Sequence, residues 1–342
     1  MRRRHRLGAP RLVARAAWLA AVGVVLGASP AAADPPAPGD HRSRVTAVEP
    51  DVPGVSVEVV GGDSFLSLAV ERGVEVVVLG YEGEEYLRVL ADGTVERNTR
   101  SPASYLNDDR YAAVDLPPEL VGADPTELEP EWERVAGGGA YAWHDHRIHW
   151  MAPGAPPHVA RGDTFDWSGP VELVVDGQPV SVLGETEYVE DVSPLPWLAG
   201  GAVLAAMGVV ALRRRTLPLA VLGTAVAIGA AWVAWSTYDL APDGAGASPL
   251  PVVAAGTAIA AGVAAVALPE RVRPLALAAL ASVLGAWGLL RFGVLTNPVL
   301  PTTAPDALDR GVTVAAIAVA VAGAVAALAG MALAPDDRTD PT

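Results

Sequence analysis

Three of the six histidines of this chain, His144, His146 and His149, fall within six consecutive residues. On a β-strand His144 and His146 would lie on one face, where two imidazoles can hold one transition-metal ion. His149 has the opposite parity and joins the pair only if a bulge or a turn interrupts the strand. The pattern therefore predicts a copper or zinc site at these three histidines. Further candidates are Met151 and His158 as ligands, and Asp145 as a carboxylate that orients an imidazole.

The same stretch also suits a purely structural role. Large aromatic residues are typical of a sandwich core, and His, Asp and Arg among them often form a buried hydrogen-bond network. Buried polar groups must be hydrogen-bonded whether or not they bind a ligand, so this interpretation is preferred over metal binding. Besides the histidines, the expected members of the network are Tyr141, Trp143, Asp145, Arg147 and Trp150.

Motifs of known catalytic types do not accompany the histidines. The sequence has no Gly-x-Ser-x-Gly, no His-Glu-x-x-His and no glycine-rich phosphate-binding loop. Adjacent carboxylates such as Asp108 and Asp109 would point to opposite faces of a strand, so they make a poor acid–base pair. We therefore expect a protein that is not an enzyme, with an envelope hydrolase as the least favoured alternative.

The composition separates a charged part from an apolar part. Hydrophobic residues make up 51% of the 342 residues, which is too apolar for an ordinary soluble chain. Residues 34–196 hold 31 of the 39 acidic residues but only 10 of the 24 basic ones, all of which are Arg. The absence of Cys excludes disulfides and Cys-ligated metal sites. The net charge of −15 argues against nucleic acid as a partner.

The charged part reads as an exported β domain. Residues 1–33 begin with basic residues, continue with an apolar run and end with Ala31–Ala33, a pattern that predicts a signal peptide. Residues 34–44 are predicted to be a linker. Period-two alternation between turn residues predicts short strands through residues 45–190. We expect residues 74–79 to be buried on both faces and residues 101–130 to form a long loop. The fold class is thus an all-β extracytoplasmic sandwich, Ig-like or cupredoxin-like.

Five apolar runs follow the β domain and predict an α-helical transmembrane bundle within residues 195–335. Each run is close to the roughly 20 residues that cross a bilayer core. Arg291 is the one ionisable residue expected within these spans, near an outer end where its side chain can snorkel. The tail is residues 336–342. The predicted spans are about 195–212, 217–236, 250–268, 275–295 and 312–333.

The loops between the runs predict the orientation. Basic residues at 213–215, Arg271 and Arg273 fall on one side of the membrane. Acidic residues fall on the other side, and they are Asp239, Asp243, Asp306 and Asp309. Because basic loops stay in the cytoplasm, we expect a multi-pass plasma-membrane protein with the β domain outside and the C-terminus inside.

The histidine segment, residues 141–151 (YAWHDHRIHWM), resembles a motif of exported multi-span membrane proteins of unknown function from actinobacteria. Residues 78–87 and 98–102 share in the resemblance, which implies the same envelope architecture and no activity. The layout is more loosely similar to copper-resistance proteins of the CopC/CopD type, which join an exported sandwich to membrane helices. This chain differs from them in lacking a Met-rich loop and histidines in its spans.

These patterns together predict a plasma-membrane protein that presents an acidic β-sandwich as a binding or scaffolding module of the envelope. The expected partners are the lipid bilayer and another envelope protein. Extracytoplasmic copper or zinc binding through His144, Asp145 and His146 is the alternative.

Overall fold

A computed structural model describes residues 36–152, 154–212, 216–240 and 248–332. The predicted signal peptide, the arginines at 213–215, Asp243 and the C-terminal tail lie outside the described residues. Within the described ranges an antiparallel β region occupies residues 41–188, and apolar helices follow it. The predicted order, an all-β sandwich and then a helical bundle, is confirmed.

The β region consists of two sheets that pack face to face. The strands are β1 (His41–Glu49), β2 (Val55–Val60), β3 (Phe65–Val70), β4 (Val76–Leu79), β5 (Glu85–Val89), β6 (Val95–Asn98), β7 (Trp132–Ala136), β8 (Ala140–Trp143), β9 (Thr164–Asp166), β10 (Val171–Val175) and β11 (Gln178–Tyr188). The larger sheet has the order β1–β11–β10–β4–β5–β6–β7, with β9 paired to β11, and the smaller has the order β2–β3–β8. Leu66 and Leu68 of the small sheet share one core with Val78, Leu87 and Leu173 of the large sheet.

Two strand predictions need correction. β1 begins at His41, inside the stretch expected to be a linker. The apolar pattern did not reveal this part of the strand, because its inward-pointing residues, His41 and Ser43, are polar. β4 was expected to be buried on both faces, but only Val76 and Val78 are buried, and the alternate residues are half-exposed. The predicted long loop at 101–130 contains only the short helix α1 (Ala103–Leu106).

Among the described residues, the helical region contains four helices that are long and apolar enough to cross a membrane. These are α3 (Leu217–Tyr238), α4 (Leu250–Ala267), α5 (Arg273–Leu290) and the part Asp306–Val325 of α6 (Asp306–Ala332). The preceding helix α2 (Leu195–Leu212) is also apolar, but its apolar stretch Leu195–Ala211 is shorter than these four, so a fifth span stays a prediction. A 3₁₀ helix (Phe292–Leu295) follows α5.

The expectation that Arg291 snorkels is wrong. Its guanidinium donates to Oδ2 of Asp309 at 2.7 Å, and the Asp309 side chain is fully buried. Helix α6 begins at Asp306, six residues before the predicted start of the last span, so it includes Asp309 and Arg310. The guanidinium of Arg310 donates to the backbone carbonyls of Val294, Asn297 and Pro298.

The segment that Arg310 holds also contacts the β domain. Gly39 and Val299 exchange two backbone hydrogen bonds of 3.0 Å each, just before β1 begins. The backbone N–H of Thr303, in the same segment, reaches the carbonyl of Ser236 near the end of α3 at 3.5 Å. The start of β1 therefore rests on the end of the helical bundle where α3 ends and α6 begins.

Candidate metal centre

The register of the small sheet places His144. Trp143, the last residue of β8, pairs with Leu66 in β3, so His144, the first residue after β8, lies beside the start of β3. Nδ1 of His144 lies 2.5 Å from the backbone carbonyl oxygen of Ser64. A carbonyl oxygen only accepts hydrogen bonds, so Nδ1 carries the proton and Nε2 keeps its lone pair.

A turn directly after β8 brings His149 to the same place. The N–H of Ile148 donates to the carbonyl of Asp145 at 3.2 Å, and the carbonyl of Ile148 accepts from Thr186 of β11 at 3.2 Å. The ring centroids of His144 and His149 are 4.6 Å apart. The turn that was required for His149 to join the other two histidines is therefore present. The prediction that His144 and His146 lie on a strand is wrong, because β8 ends at Trp143.

Backbone and aromatic contacts position His146. Its Nε2 lies 2.9 Å from the carbonyl oxygen of Asp109, in the long loop between β6 and β7. The ring stacks on Tyr81 with centroids 5.7 Å apart, and the Tyr81 hydroxyl accepts the backbone N–H of His146 at 3.0 Å. That hydroxyl donates in turn to Asn107 of the same long loop.

The three imidazoles converge on one point. One ring nitrogen from each histidine lies within 4.8 Å of the other two. Nε2 of His144 and Nε2 of His149 are buried and have no hydrogen-bond partner among the residues described. Because Nε2 of His146 is hydrogen-bonded to the Asp109 carbonyl, Nδ1 is the nitrogen of this ring that remains available to a metal.

The opposite nitrogen of each ring meets a backbone carbonyl. Nδ1 of His149 lies 3.2 Å from the carbonyl oxygen of Trp150. The carbonyls of Ser64 and Asp109 make the corresponding contacts with His144 and His146. Metal-binding histidines characteristically donate their other N–H to a carbonyl or a carboxylate, which fixes the tautomer. Each of the three rings therefore has its lone pair on the nitrogen that does not contact the carbonyl.

The spacing fits a transition metal after a small adjustment. For three nitrogens at the maximum separation of 4.8 Å, an ion at their centre would lie about 2.8 Å from each. A zinc–imidazole bond of about 2.0–2.1 Å then requires each ring to shift by roughly 0.7 Å. Side-chain rotations of this size leave the backbone unchanged.

His144 and His149 are also in the protonation state that binds metal. Burial, together with the nearby charge of Arg110, lowers the pKa of His144 from 6.5 to about 4. Burial likewise lowers the pKa of His149 to about 2, with a contribution from the charge of His144. Both rings are therefore neutral at pH 7, as a metal ligand must be.

The structural network exists as well, and three of its predicted members, Trp143, Asp145 and Arg147, form it without the histidines. The buried carboxylate of Asp145 accepts from Nε1 of Trp143 at 2.8 Å and from the side chain of Arg147 at 2.8 and 2.9 Å. Desolvation raises the pKa of Asp145, but the charge and hydrogen bonds of Arg147 outweigh it and hold the pKa at about 2. Asp145 hydrogen-bonds none of the three imidazoles, so the expectation that it orients one is wrong.

The remaining predicted residues lie outside both groups. Tyr141 packs in the core of the sandwich. Trp150 meets Phe165 edge to face at 6.5 Å, and its indole nitrogen is buried without a partner among the described residues. Met151 is half-buried, and His158 is exposed and outside the histidine cluster.

Sequence reasoning missed the groups that orient the rings, because two of them are backbone carbonyls. The Ser64 carbonyl lies 80 residues from His144, and the Asp109 carbonyl lies 37 residues from His146. A carbonyl is present at every residue, so no pattern of side chains identifies these two. Among the individual elements predicted above, only the long loop at 101–130 includes one of these residues, Asp109.

No family model, no curated protein and no solved structure matches this chain. The fold and the site define a β-sandwich that carries a cluster of three buried histidines and continues into a bundle of apolar helices. What this site does must therefore be argued from its own residues.

Proposed function

We propose that this protein binds a divalent transition metal, zinc or copper, through His144, His146 and His149. The observation that carries the proposal is that each ring pairs one nitrogen with a backbone carbonyl and that the three rings each bring a nitrogen within 4.8 Å of the others. Three imidazoles without a sulfur ligand suit Zn²⁺ or Cu²⁺ better than Cu⁺, which prefers thiolates and thioethers.

Two further features support metal binding over a purely structural role. The Asp145–Arg147–Trp143 network already provides hydrogen bonds within this segment, and it uses none of the three imidazoles. In addition, the 31 acidic residues against 10 Arg in residues 34–196 create a negative field that attracts cations. Envelope scaffolding stays a prediction that needs a partner to test it.

Thermal unfolding of the full chain in detergent, with and without Zn²⁺ or Cu²⁺, tests the proposal. A metal that binds only the folded state should stabilise the protein by about 2.7 kcal/mol when its free concentration is a hundred times Kd. Replacing His144 and His149 together by Ala should abolish that gain, because one imidazole then remains. The matched control is His158→Ala, at an exposed histidine of the same domain, and it should keep the full metal response.

Two results would contradict metal binding at this cluster. One is a melting temperature that neither metal changes. The other is a metal response that survives in the His144→Ala, His149→Ala variant.

We further propose that the protein is a multi-pass protein of the plasma membrane. In this proposal the signal peptide is removed, the β domain lies outside, α2 is a fifth span and the C-terminus is cytoplasmic. The β domain touches the end of the bundle that carries Asp239 and Asp306, through the Gly39–Val299 bridge. Arg271 and Arg273 lie at the α4–α5 connection, and basic connections stay in the cytoplasm.

The lack of cysteine makes this orientation easy to test. Single variants Glu71→Cys, in the β domain, and Glu270→Cys, between α4 and α5, each place one thiol at an exposed position. A membrane-impermeant maleimide applied to intact cells should label the first variant and should leave the second unlabelled until the cells are lysed. Labelling of only the second variant would reverse the proposed orientation.

A further inference from the structure

A cleft of about 310 Å³ lies beside the histidine cluster, and His144 belongs to both. Its walls come from four separate parts of the chain. They are the segment that leads into β1, the turn before β3, the long loop between β6 and β7, and the segment after the histidine turn. Asn297, from the loop between α5 and α6, also lines it. The cleft therefore sits where the β domain meets the helical bundle.

Besides His144, two wall residues present buried polar atoms that lack a partner among the residues that the structure describes. His41 is 93% buried, its Nδ1 lies 2.8 Å from a carboxylate oxygen of Asp40, and its Nε2 has no partner among the described residues. The indole nitrogen of Trp150 is in the same condition. Leaving a buried polar atom unpaired costs stability, so native proteins seldom do so without another use for the group.

The charges around the cleft favour an anion once a metal is bound. Arg110 forms an ion pair with Asp63, and Asp40 lies between His41 and Arg161. The charges within these pairs nearly cancel. A divalent ion bound to the imidazoles would therefore give the cleft a net positive charge. Sites with three protein ligands also leave one coordination position for water or a substrate.

We propose that the cleft admits a small carboxylate that binds the metal at the coordination position the three histidines leave open. The indole N–H of Trp150 donates a hydrogen bond to this ligand. His41 lies in the wall of the same cleft. This inference rests on the proposed metal binding.

The test uses the full chain in detergent, loaded with Co²⁺ as a spectroscopic probe, with acetate as the ligand. Acetate should change the visible Co²⁺ spectrum in a saturable way, because it replaces water on the metal. Trp150→Phe should weaken acetate binding about tenfold, as expected for one hydrogen bond to a charged group, and should leave the Co²⁺ affinity within about twofold. The matched control is Trp132→Phe in β7, which should change neither value.

The possible outcomes separate this inference from the metal site itself. If Co²⁺ binds and acetate leaves the spectrum unchanged, the carboxylate site is wrong and the metal site stands. If acetate changes the spectrum equally in the protein and in Trp150→Phe, the ligand does not occupy this cleft. If Co²⁺ does not bind and the Zn²⁺ and Cu²⁺ titrations also fail, the proposed function fails and this inference fails with it.

Discussion

Replacing Asp145 by Asn should destabilise the protein by about 3–5 kcal/mol, whether or not metal is present. The carboxylate is fully buried and pairs with Arg147, whose side chain is only 12% exposed. Asn has nearly the same shape but no charge, so it would leave the guanidinium buried without its counterion. The measurement is chemical or thermal unfolding of the full chain in detergent.

Asp115→Asn makes the same chemical change at an exposed position of the long loop. It should alter the free energy of unfolding by no more than about 0.5 kcal/mol. The comparison with the histidines is equally informative, because His144→Ala should act mainly through metal affinity. A loss below about 1 kcal/mol in Asp145→Asn would mean that the buried pair does not hold this segment in place.

Replacing Asp309 by Asn should destabilise the helical bundle by a similar amount, about 3–5 kcal/mol. Its carboxylate pairs with Arg291, which is 11% exposed at the end of α5, and also lies 3.4 Å from the hydroxyl of Thr313. Without the carboxylate, Arg291 would be an uncompensated charge where α5 and α6 pack. Thermal unfolding in detergent micelles would measure the loss.

Two further variants make this second test specific. Asp306→Asn changes an exposed acid in the same turn of α6, so it should have little effect. Replacing both partners by apolar residues, Arg291→Met with Asp309→Leu, should recover most of the stability, because no charge is then left unpaired. Failure of this double variant to recover would show that Arg291 and Asp309 do not act as an ion pair.

These two carboxylates illustrate what local patterns reveal and what they miss. Asp145 stood out because it lies between two histidines, although its partners proved to be Arg147 and Trp143 rather than an imidazole. Asp309 was expected in an external loop, because the last apolar run was predicted to begin at residue 312. The residue that neutralises it, Arg291, lies 18 positions earlier in the chain and becomes its neighbour only when α5 packs against α6.

The sequence by itself determined the architecture of this protein. Apolar periodicity is a local property, so the helix Leu195–Leu212 could be predicted with its observed bounds. Element boundaries were wrong where buried polar residues depend on distant partners. This was the case at the buried His41, which begins β1, and at the start of α6, which includes the buried Asp309 and Arg310.

Only the tertiary structure decided how the histidines are arranged. Spacing in the sequence identified His144 and His146 as a pair but left His149 on the opposite face of a strand. The turn that closes between Asp145 and Ile148 removes that restriction, since side-chain parity holds only while the backbone remains extended. The tautomers depend on carbonyls that other strands and loops supply. For this reason the residue types of the site were visible in the sequence, and their convergence was not.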